Sequence, residues 1–177
     1  NEKRIKYILD IKKGKLKENT KYNYKIKNKN IGNLFDQASP LSNNEYTNIG
    51  NKLNKILKNR KLESDLVFTI DPSGCEDKDD AISISKTYNK ETKDSEYILK
   101  VHIADVSELI SDRLYNEAKK RVTTKYYSHH NYYMLPKNLS VDYLSLVYNK
   151  ERLVITTTMI FNSSGRLLRS HIDKKKI

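Results

Sequence analysis

The chain has 177 residues, of which 37% are hydrophobic and 32% are charged, so it can form a domain with a hydrophobic core. It contains no apolar run near the roughly 18 residues of a membrane span, and its first residues lack the apolar segment of a secretion signal. The single cysteine, Cys75, excludes an internal disulfide and is typical of a reducing compartment. We therefore expect an intracellular protein, in the cytoplasm or the nucleus.

The formal net charge of +12 is unevenly distributed. Residues 1–62 carry 16 Lys and Arg against 5 Asp and Glu, whereas residues 63–177 carry 18 against 17. This contrast predicts a basic extension over 1–62 and a separate domain over 63–177. The extension suits a polyanionic partner, because each neutralised phosphate releases counterions, but a solvated lysine-rich surface explains the charge equally well.

Two elements are predicted within the extension. Residues 5–11 and 22–26 alternate apolar and polar side chains, which is the pattern of a β-hairpin. Apolar residues then recur at helical spacing at positions 49, 53, 56 and 57, which predicts a helix over residues 44–61.

The rest of the chain reads as strands with helices between them. β-Branched and aromatic runs predict strands over 66–70, 80–86, 97–103, 153–161 and from 167 to 172. We expect the second and third of these to be antiparallel, because a short polar segment joins them. A helix is predicted over 112–121 with Asp112 as its N-cap, a short helix over 139–146, and an irregular aromatic segment over 123–133. The predicted fold class is α+β, a mainly antiparallel or mixed sheet with flanking helices.

The most informative segment is an acidic turn between two of the predicted strands. It holds Asp71, Asp77, Asp79 and Asp80, with Glu76 among them. Like charges this close raise one another's pKa unless a cation or hydrogen-bond donors neutralise them. A hard divalent cation held by oxygen ligands is the simplest explanation, and Mg²⁺ at nucleic-acid sites is commonly held by a few carboxylates.

The acidic turn alone leaves other interpretations open. A calcium loop of the EF-hand type counted from Asp77 fails, because Ile82 stands where glycine is required. The triplet Asp77-Lys78-Asp79 also occurs in nucleotide-sugar enzymes. A solvated or salt-bridged loop without any function remains a further alternative.

The motifs, taken together, resemble the ribonuclease II family, whose catalytic unit is the RNB domain. The segment from Thr69 to Ile82 is similar to the signature of that family. Further similar segments follow in the same order, at residues 101–107, 121–126, 134–136, 139–140, 145–146 and 151–153. The chain is thus similar to the N-terminal part of an RNB domain.

The resemblance implies a Mg²⁺-dependent 3′→5′ exoribonuclease that hydrolyses single-stranded RNA to nucleoside monophosphates. It assigns Asp71, Asp77 and Asp80 to the metal, and Asp79, with Asp77, to catalysis, Asp79 being the carboxylate on which cleavage most depends. Tyr126 and Arg121 would contact RNA, Tyr126 through its ring. An ordinary packed tyrosine is the alternative for Tyr126.

The chain also departs from the family pattern. Val122 replaces a usual glycine, Tyr127-Ser128 replaces a Leu-Pro pair, and Tyr133 replaces a proline, so we expect a differently shaped loop. The family's later arginine, glutamate and aromatic motifs have no match here, so we expect the isolated chain to be inactive. A non-hydrolytic RNA-binding remnant that uses residues 1–62 is therefore the alternative function. We expect a surface role for His129-His130 and a structural role for Asp105.

Overall fold

The computed structural model describes residues 38–127 and 130–177, so the hairpin predicted over 5–26 lies outside the described residues. The described elements are, in chain order, α1 (Asn43–Leu57), β1 (Lys61–Leu62), β2 (Asp80–Asn89), β3 (Asp94–Ala104), a 3₁₀-helix (Val106–Glu108), α2 (Asp112–Arg121), β4 (Lys125–Tyr126), β5 (Asn131–Tyr132), a π-helix (Leu139–Tyr143), β6 (Leu153–Phe161) and β7 (Leu167–Lys176). No helix among these residues is long and apolar enough to cross a membrane.

Five strands form one sheet in the order β1-β7-β6-β3-β2. β1 runs parallel to β7, and the other neighbouring pairs are antiparallel, which confirms the predicted α+β class. The β2–β3 hairpin is in register from Asn89 opposite Asp94 to Asp80 opposite Ile103. The acidic turn therefore enters the sheet at the end of β2 that lies farthest from the hairpin turn.

The strand predicted over residues 66–70 is wrong. Phe68 alone pairs with the sheet, through two backbone hydrogen bonds of 3.0 and 2.9 Å to Ile82. Leu66 and Ile70 are 84% and 81% exposed, and of the apolar side chains in this run only Val67 packs against a core cluster. The run lies along the free edge of β2 as an extended segment with one bridge.

Helix α1 begins with a capping box. The Ser42 hydroxyl accepts a hydrogen bond from the Glu45 N–H, and the Glu45 carboxylate accepts one from the Ser42 N–H. The helix ends at Leu57, four residues before the predicted end. Its buried face joins one core with α2, the π-helix and the start of β6; the buried members are Leu41, Leu53, Leu57, Leu109, Leu114, Ala118, Leu135, Leu139, Leu144 and Leu153. The domain division at residue 62 stays a prediction, but α1 shares the core of the residues that follow it.

Helix α2 has the predicted bounds but a different cap. Ser111 is the N-cap, since its hydroxyl accepts a hydrogen bond from the Leu114 N–H, and Asp112 is the first helical residue. The prediction of Asp112 as the cap is therefore wrong. Ser111 has the extended backbone of an N-cap, with φ −88° and ψ 164°, and Asp112 still lies where the helix dipole favours a negative charge.

The predicted helix over 139–146 is a π-helix of five residues, and it packs closely against α1. A Cβ atom at Gly50 would lie 2.5 Å from the Tyr143 hydroxyl, so a larger residue at this position would force the Tyr143 side chain to shift. Within the predicted irregular segment, β4 and β5 form a separate two-stranded ladder.

Two groups of ion pairs connect distant segments of the chain. Glu63 accepts hydrogen bonds from Lys100 at 2.7 Å and Lys175 at 2.9 Å, and Lys100 also donates to Asp65 at 2.8 Å. We name Glu63, Asp65, Lys100 and Lys175 the paired network. Separately, buried Asp105 accepts a hydrogen bond from Arg60 at 2.9 Å, which supports its expected structural role.

Candidate active site

The acidic turn is a compact loop that ends at the first residue of β2. The Cys75 N–H donates to the Pro72 carbonyl at 3.1 Å, and Gly74 has a φ of 83°, a conformation that favours glycine. This tight turn shortens the path between Asp71 and Asp77. The charges of both carboxylates act on the Cys75 thiol that lies between them in the turn.

A serine from a distant segment fixes the backbone on both sides of Asp77. The buried Ser145 hydroxyl accepts a hydrogen bond from the Lys78 N–H at 2.9 Å and donates one to the Glu76 carbonyl at 3.0 Å. The Leu146 N–H also donates to the Lys78 carbonyl at 2.9 Å. Because these bonds bracket Asp77, its Cα position is set by the segment after the π-helix.

The side chain of Asp77 is itself hydrogen-bonded. Asp77 is 8% exposed, and its Oδ2 atom accepts a hydrogen bond of 2.6 Å from the Tyr126 hydroxyl. Desolvation, then the bond to Asp77, raises the pKa of Tyr126, so the hydroxyl stays protonated as a donor. Two residues predicted for different roles, a metal ligand and an RNA contact, thus touch.

The four aspartates interact electrostatically. The pKa of the Asp79 carboxyl is raised, first by desolvation and then by the negative charges of the other three aspartates of the turn. Desolvation also raises the pKa of the Cys75 thiol, and the charges of Asp71 and Asp77 add to this. The site therefore carries more negative charge than its surroundings neutralise.

Glu76 differs from its acidic neighbours. Its carboxylate accepts hydrogen bonds from the Tyr133 hydroxyl at 2.6 Å and from Lys137, whose Nζ lies 2.9 Å from Oε2. The bond to Tyr133 is the main reason that the pKa of Glu76 is lowered. Glu76 thus anchors the turn. The other four carboxylates of the turn, those of the aspartates, form the candidate site.

The donor chemistry of the turn fits a hard cation. The Oδ2 atom of Asp71 is buried and has no hydrogen-bond partner among the described residues. Carboxylate oxygens are the ligands that Mg²⁺ prefers. In the part of the chain that the structure describes, no three carboxylate, imidazole or thiol side chains converge closely enough to hold an ion as they stand. By donor type alone, Asp71, Asp77 and Asp80 match the ligands of a magnesium ion.

The predicted RNA contacts lie in two settings. The Tyr126 side chain is on β4 and is 59% exposed, so its ring faces solvent although its hydroxyl meets Asp77. Arg121 ends α2 with its side chain 13% exposed and lies 3.8 Å from Glu117. His129 lies outside the described residues, whereas His130 stacks edge-on against Tyr132.

Val122, at the position of the replaced glycine, connects α2 to β4. Its φ is 71° and its ψ is −42°, and the Thr123 N–H donates across it to the Arg121 carbonyl at 2.9 Å. This is a γ-turn with positive φ, which is strained for a β-branched side chain. The departure from the family pattern therefore stores strain a few residues before Tyr126.

Sequence reasoning did not assign a role to Ser145 or to the Tyr126 hydroxyl. Ser145 entered only as one of the similar segments, and it acts 67 residues from Lys78. No local periodicity marks such contacts. The signal available in the sequence was the fixed order of the motifs, which implied that the segments meet in space.

Comparison with known proteins agrees with the family resemblance of the sequence motifs. The RNB domain family matches residues 59–177. Ribonuclease R of Chlamydia pneumoniae is 38% identical over 137 residues, covering 76% of this chain and 18% of that protein. Ribonuclease R of Aquifex aeolicus is 39% identical over 115 residues, covering 64% of this chain and 16% of that protein. The chain spans less than one fifth of the length of these curated relatives.

Solved structures share the fold. Mycoplasma genitalium RNase R in complex with ribose-methylated single-stranded RNA superposes with a TM-score of 0.64 at 25% identity, covering 79% of this chain and 22% of that one. Yeast Ssd1, described as a pseudonuclease, superposes with a TM-score of 0.59 at 20% identity, covering 80% of this chain and 16% of that one. The second likeness is one of fold alone.

Proposed function

The chain belongs to the RNB domain family, and on this premise we propose that it is part of a magnesium-dependent exoribonuclease acting on single-stranded RNA. The enzyme would remove nucleotides from the 3′ end and release nucleoside monophosphates. The lone Cys75 suits an intracellular compartment in which thiols stay reduced.

One observation carries the proposal. Asp79, which has a raised pKa, lies beside three other aspartates in a turn whose backbone is fixed by Ser145. A fold gains nothing from holding unneutralised carboxylates in a rigid loop, because each one raises the energy of the others. A bound cation would neutralise these carboxylates and could at the same time bind a phosphodiester of the substrate.

The residues take separate roles in this proposal. Asp71, Asp77 and Asp80 would hold Mg²⁺, which when bound neutralises phosphate charge and makes a water molecule more acidic. Asp79, with Asp77, would orient the attacking water and accept its proton.

The RNA would be bound by stacking and by charge. The exposed ring of Tyr126 can stack on a base, and such stacking does not depend on the base sequence. Arg121 would contribute charge near the backbone. Residues 1–62, with 16 basic against 5 acidic side chains, would attract the polyanion.

The test is to incubate the full-length protein with single-stranded RNA labelled at either the 5′ or the 3′ end. With Mg²⁺, the 5′ label is expected on steadily shorter RNA, and the 3′ label on a mononucleotide from the start. EDTA should stop both reactions. Release of the 5′ label first, or cleavage that ignores EDTA, would contradict the proposal.

The matched variants are Asp79→Asn and Asp112→Asn. Asp79→Asn should slow RNA shortening by at least about 100-fold, as expected for loss of a proton-accepting group. Asp112→Asn removes an exposed carboxylate on α2, away from the acidic turn, and should leave the rate unchanged. Equal rates for the two variants would count against the role of Asp79.

A second candidate function is RNA retention without hydrolysis. The fold that this chain shares with yeast Ssd1, a pseudonuclease, does not by itself require catalysis. Such a remnant would retain RNA mainly through the basic residues 1–62. Retention should then fall steeply as salt rises, with no RNA shortening at any Mg²⁺ concentration. Retention that is insensitive to salt would exclude this candidate.

A further inference from the structure

The contact between Tyr126 and Asp77 joins two parts of the chain that are 49 residues apart. Tyr126 belongs to β4, which pairs with β5, so the acidic turn does not determine its position. Its hydroxyl nevertheless lies 2.6 Å from Oδ2 of Asp77. The donor is thus brought to the acceptor by an independent element of the fold.

The hydrogen bond from the Tyr126 hydroxyl restricts the side-chain torsions of Asp77. Ser145 fixes the peptide groups on both sides of this residue, so its Cα cannot shift easily. The side-chain torsions are what is left, and a short hydrogen bond to a carboxylate is directional and strong. With Oδ2 engaged by Tyr126, Oδ1 is the oxygen that Asp77 can offer to a cation.

We infer that the Tyr126 hydroxyl is a positioning group for Asp77: it holds one carboxylate oxygen so that the other is presented to the bound metal. This inference rests on the proposed function, because it takes Asp77 as a metal ligand. It gives Tyr126 a role that its ring does not perform. Partners that orient a metal ligand in this way commonly change metal affinity by 10- to 100-fold when they are removed.

The test separates the hydroxyl from the ring. Tyr126→Phe removes the hydroxyl alone, at a side chain that is 59% exposed and so does not support the core. Mn²⁺, used in place of Mg²⁺, is titrated into the full chain, and free Mn²⁺ is followed by electron paramagnetic resonance. Tyr126→Phe is expected to weaken Mn²⁺ binding about tenfold or more. Because the ring remains in Tyr126→Phe, a loss of Mn²⁺ affinity in this variant reports on the hydroxyl.

The control variant is Tyr133→Phe. It removes a hydroxyl that also donates to a carboxylate of the acidic turn at 2.6 Å, but the acceptor is Glu76, which is not a proposed ligand. Because Lys137 still holds Glu76 in this variant, Tyr133→Phe should leave Mn²⁺ affinity nearly unchanged. Since Tyr133 is buried, a thermal melt verifies that this variant is folded. Tyr126→Ala completes the set and should weaken both Mn²⁺ binding and RNA retention.

The outcomes are distinct. If Tyr126→Phe binds Mn²⁺ as tightly as the unmodified chain, or more tightly, the positioning role is overturned while the proposed metal site stands. If Tyr133→Phe weakens Mn²⁺ binding equally, the effect belongs to the loop in general and the inference fails. If the unmodified chain binds no Mn²⁺, the proposed function loses its metal as well.

Discussion

Two groups of carboxylates in this molecule have opposite electrostatic environments. In the paired network, each acidic side chain meets a lysine, and Glu63 meets two. In the acidic turn, Asp71 has a buried oxygen without a hydrogen-bond partner among the described residues, and Asp79 faces other aspartates. The first group stabilises the sheet, whereas the second is held in place by Ser145 despite its own repulsion.

The pKa values express this difference. Burial alone would raise the pKa of Glu63, but hydrogen bonds from Lys100 and Lys175 outweigh it and lower the pKa to about 2. The pKa of Asp79 is shifted in the other direction, first by desolvation and then by its neighbours. The carboxylate of the paired network is thus stabilised as an anion, and the carboxylate for which we propose a catalytic role is not.

The largest effect is expected from Glu63→Gln. The substitution leaves Lys100 and Lys175 without their shared anion in a largely buried setting. Breaking such a pair costs about 3 kcal/mol of unfolding free energy, which urea denaturation at neutral pH would measure. Glu91→Gln, at an exposed carboxylate in the β2–β3 turn, is the control and should have almost no effect.

The same network predicts how stability depends on pH. Because the folded pKa of Glu63 lies below its usual 4.5, its contribution is complete above pH 4.5 and is lost as the pH falls toward 2. The difference in stability between the unmodified chain and Glu63→Gln should therefore shrink over this range. It amounts to roughly 3 kcal/mol at neutral pH. A difference that stays constant down to pH 2 would show that Glu63 is not stabilised as an anion.

Asp79→Asn should change the free energy of unfolding in the opposite direction to Glu63→Gln. Without divalent cations, removing this charge relieves repulsion among the aspartates, so stability should rise. The gain should be at most about 1 kcal/mol, because solvent screens a partly exposed group. Urea denaturation in EDTA measures it. If Asp79→Asn lost as much stability as Glu63→Gln, the aspartates of the acidic turn would be stabilising like the paired network, and the contrast between the two regions would be wrong.

The smallest effect concerns the strained link before Tyr126. Val122→Gly should stabilise the chain by up to about 1 kcal/mol, since relief of strain is partly offset by the greater freedom of glycine when unfolded. Val122→Ala keeps a Cβ atom at positive φ and should gain less. A destabilising Val122→Gly would mean that the γ-turn is not strained.

The sequence predicted well what depends on local pattern. The motifs indicated the RNB family, which the match over residues 59–177 confirms. The β-branched and aromatic runs predicted strands β2, β3, β6 and β7, and in the structure each of these strands pairs with a neighbour of similar length. The run at residues 66–70 has the same composition but meets only Ile82, and no local signal distinguishes the two cases.

Contacts between distant segments could not be predicted in this way. The composition of the acidic turn predicted a site, but the contacts that fix its backbone and the Asp77 side chain come from Ser145 and Tyr126. The partners of Glu63 lie 37 and 112 residues away along the chain. The sequence thus identified the charges but could not show which were paired.

The most direct test of the central claim, that the acidic turn is a cation site, is the free energy of unfolding with and without Mg²⁺. A ligand that binds only the folded state stabilises it by an amount that rises with the logarithm of the ratio of ligand concentration to Kd. Mg²⁺ should therefore stabilise the unmodified chain and Glu63→Gln, whereas Asp80→Asn should lose the gain. A Mg²⁺ effect that is absent from the unmodified chain, or equally large in Asp80→Asn, would contradict the account.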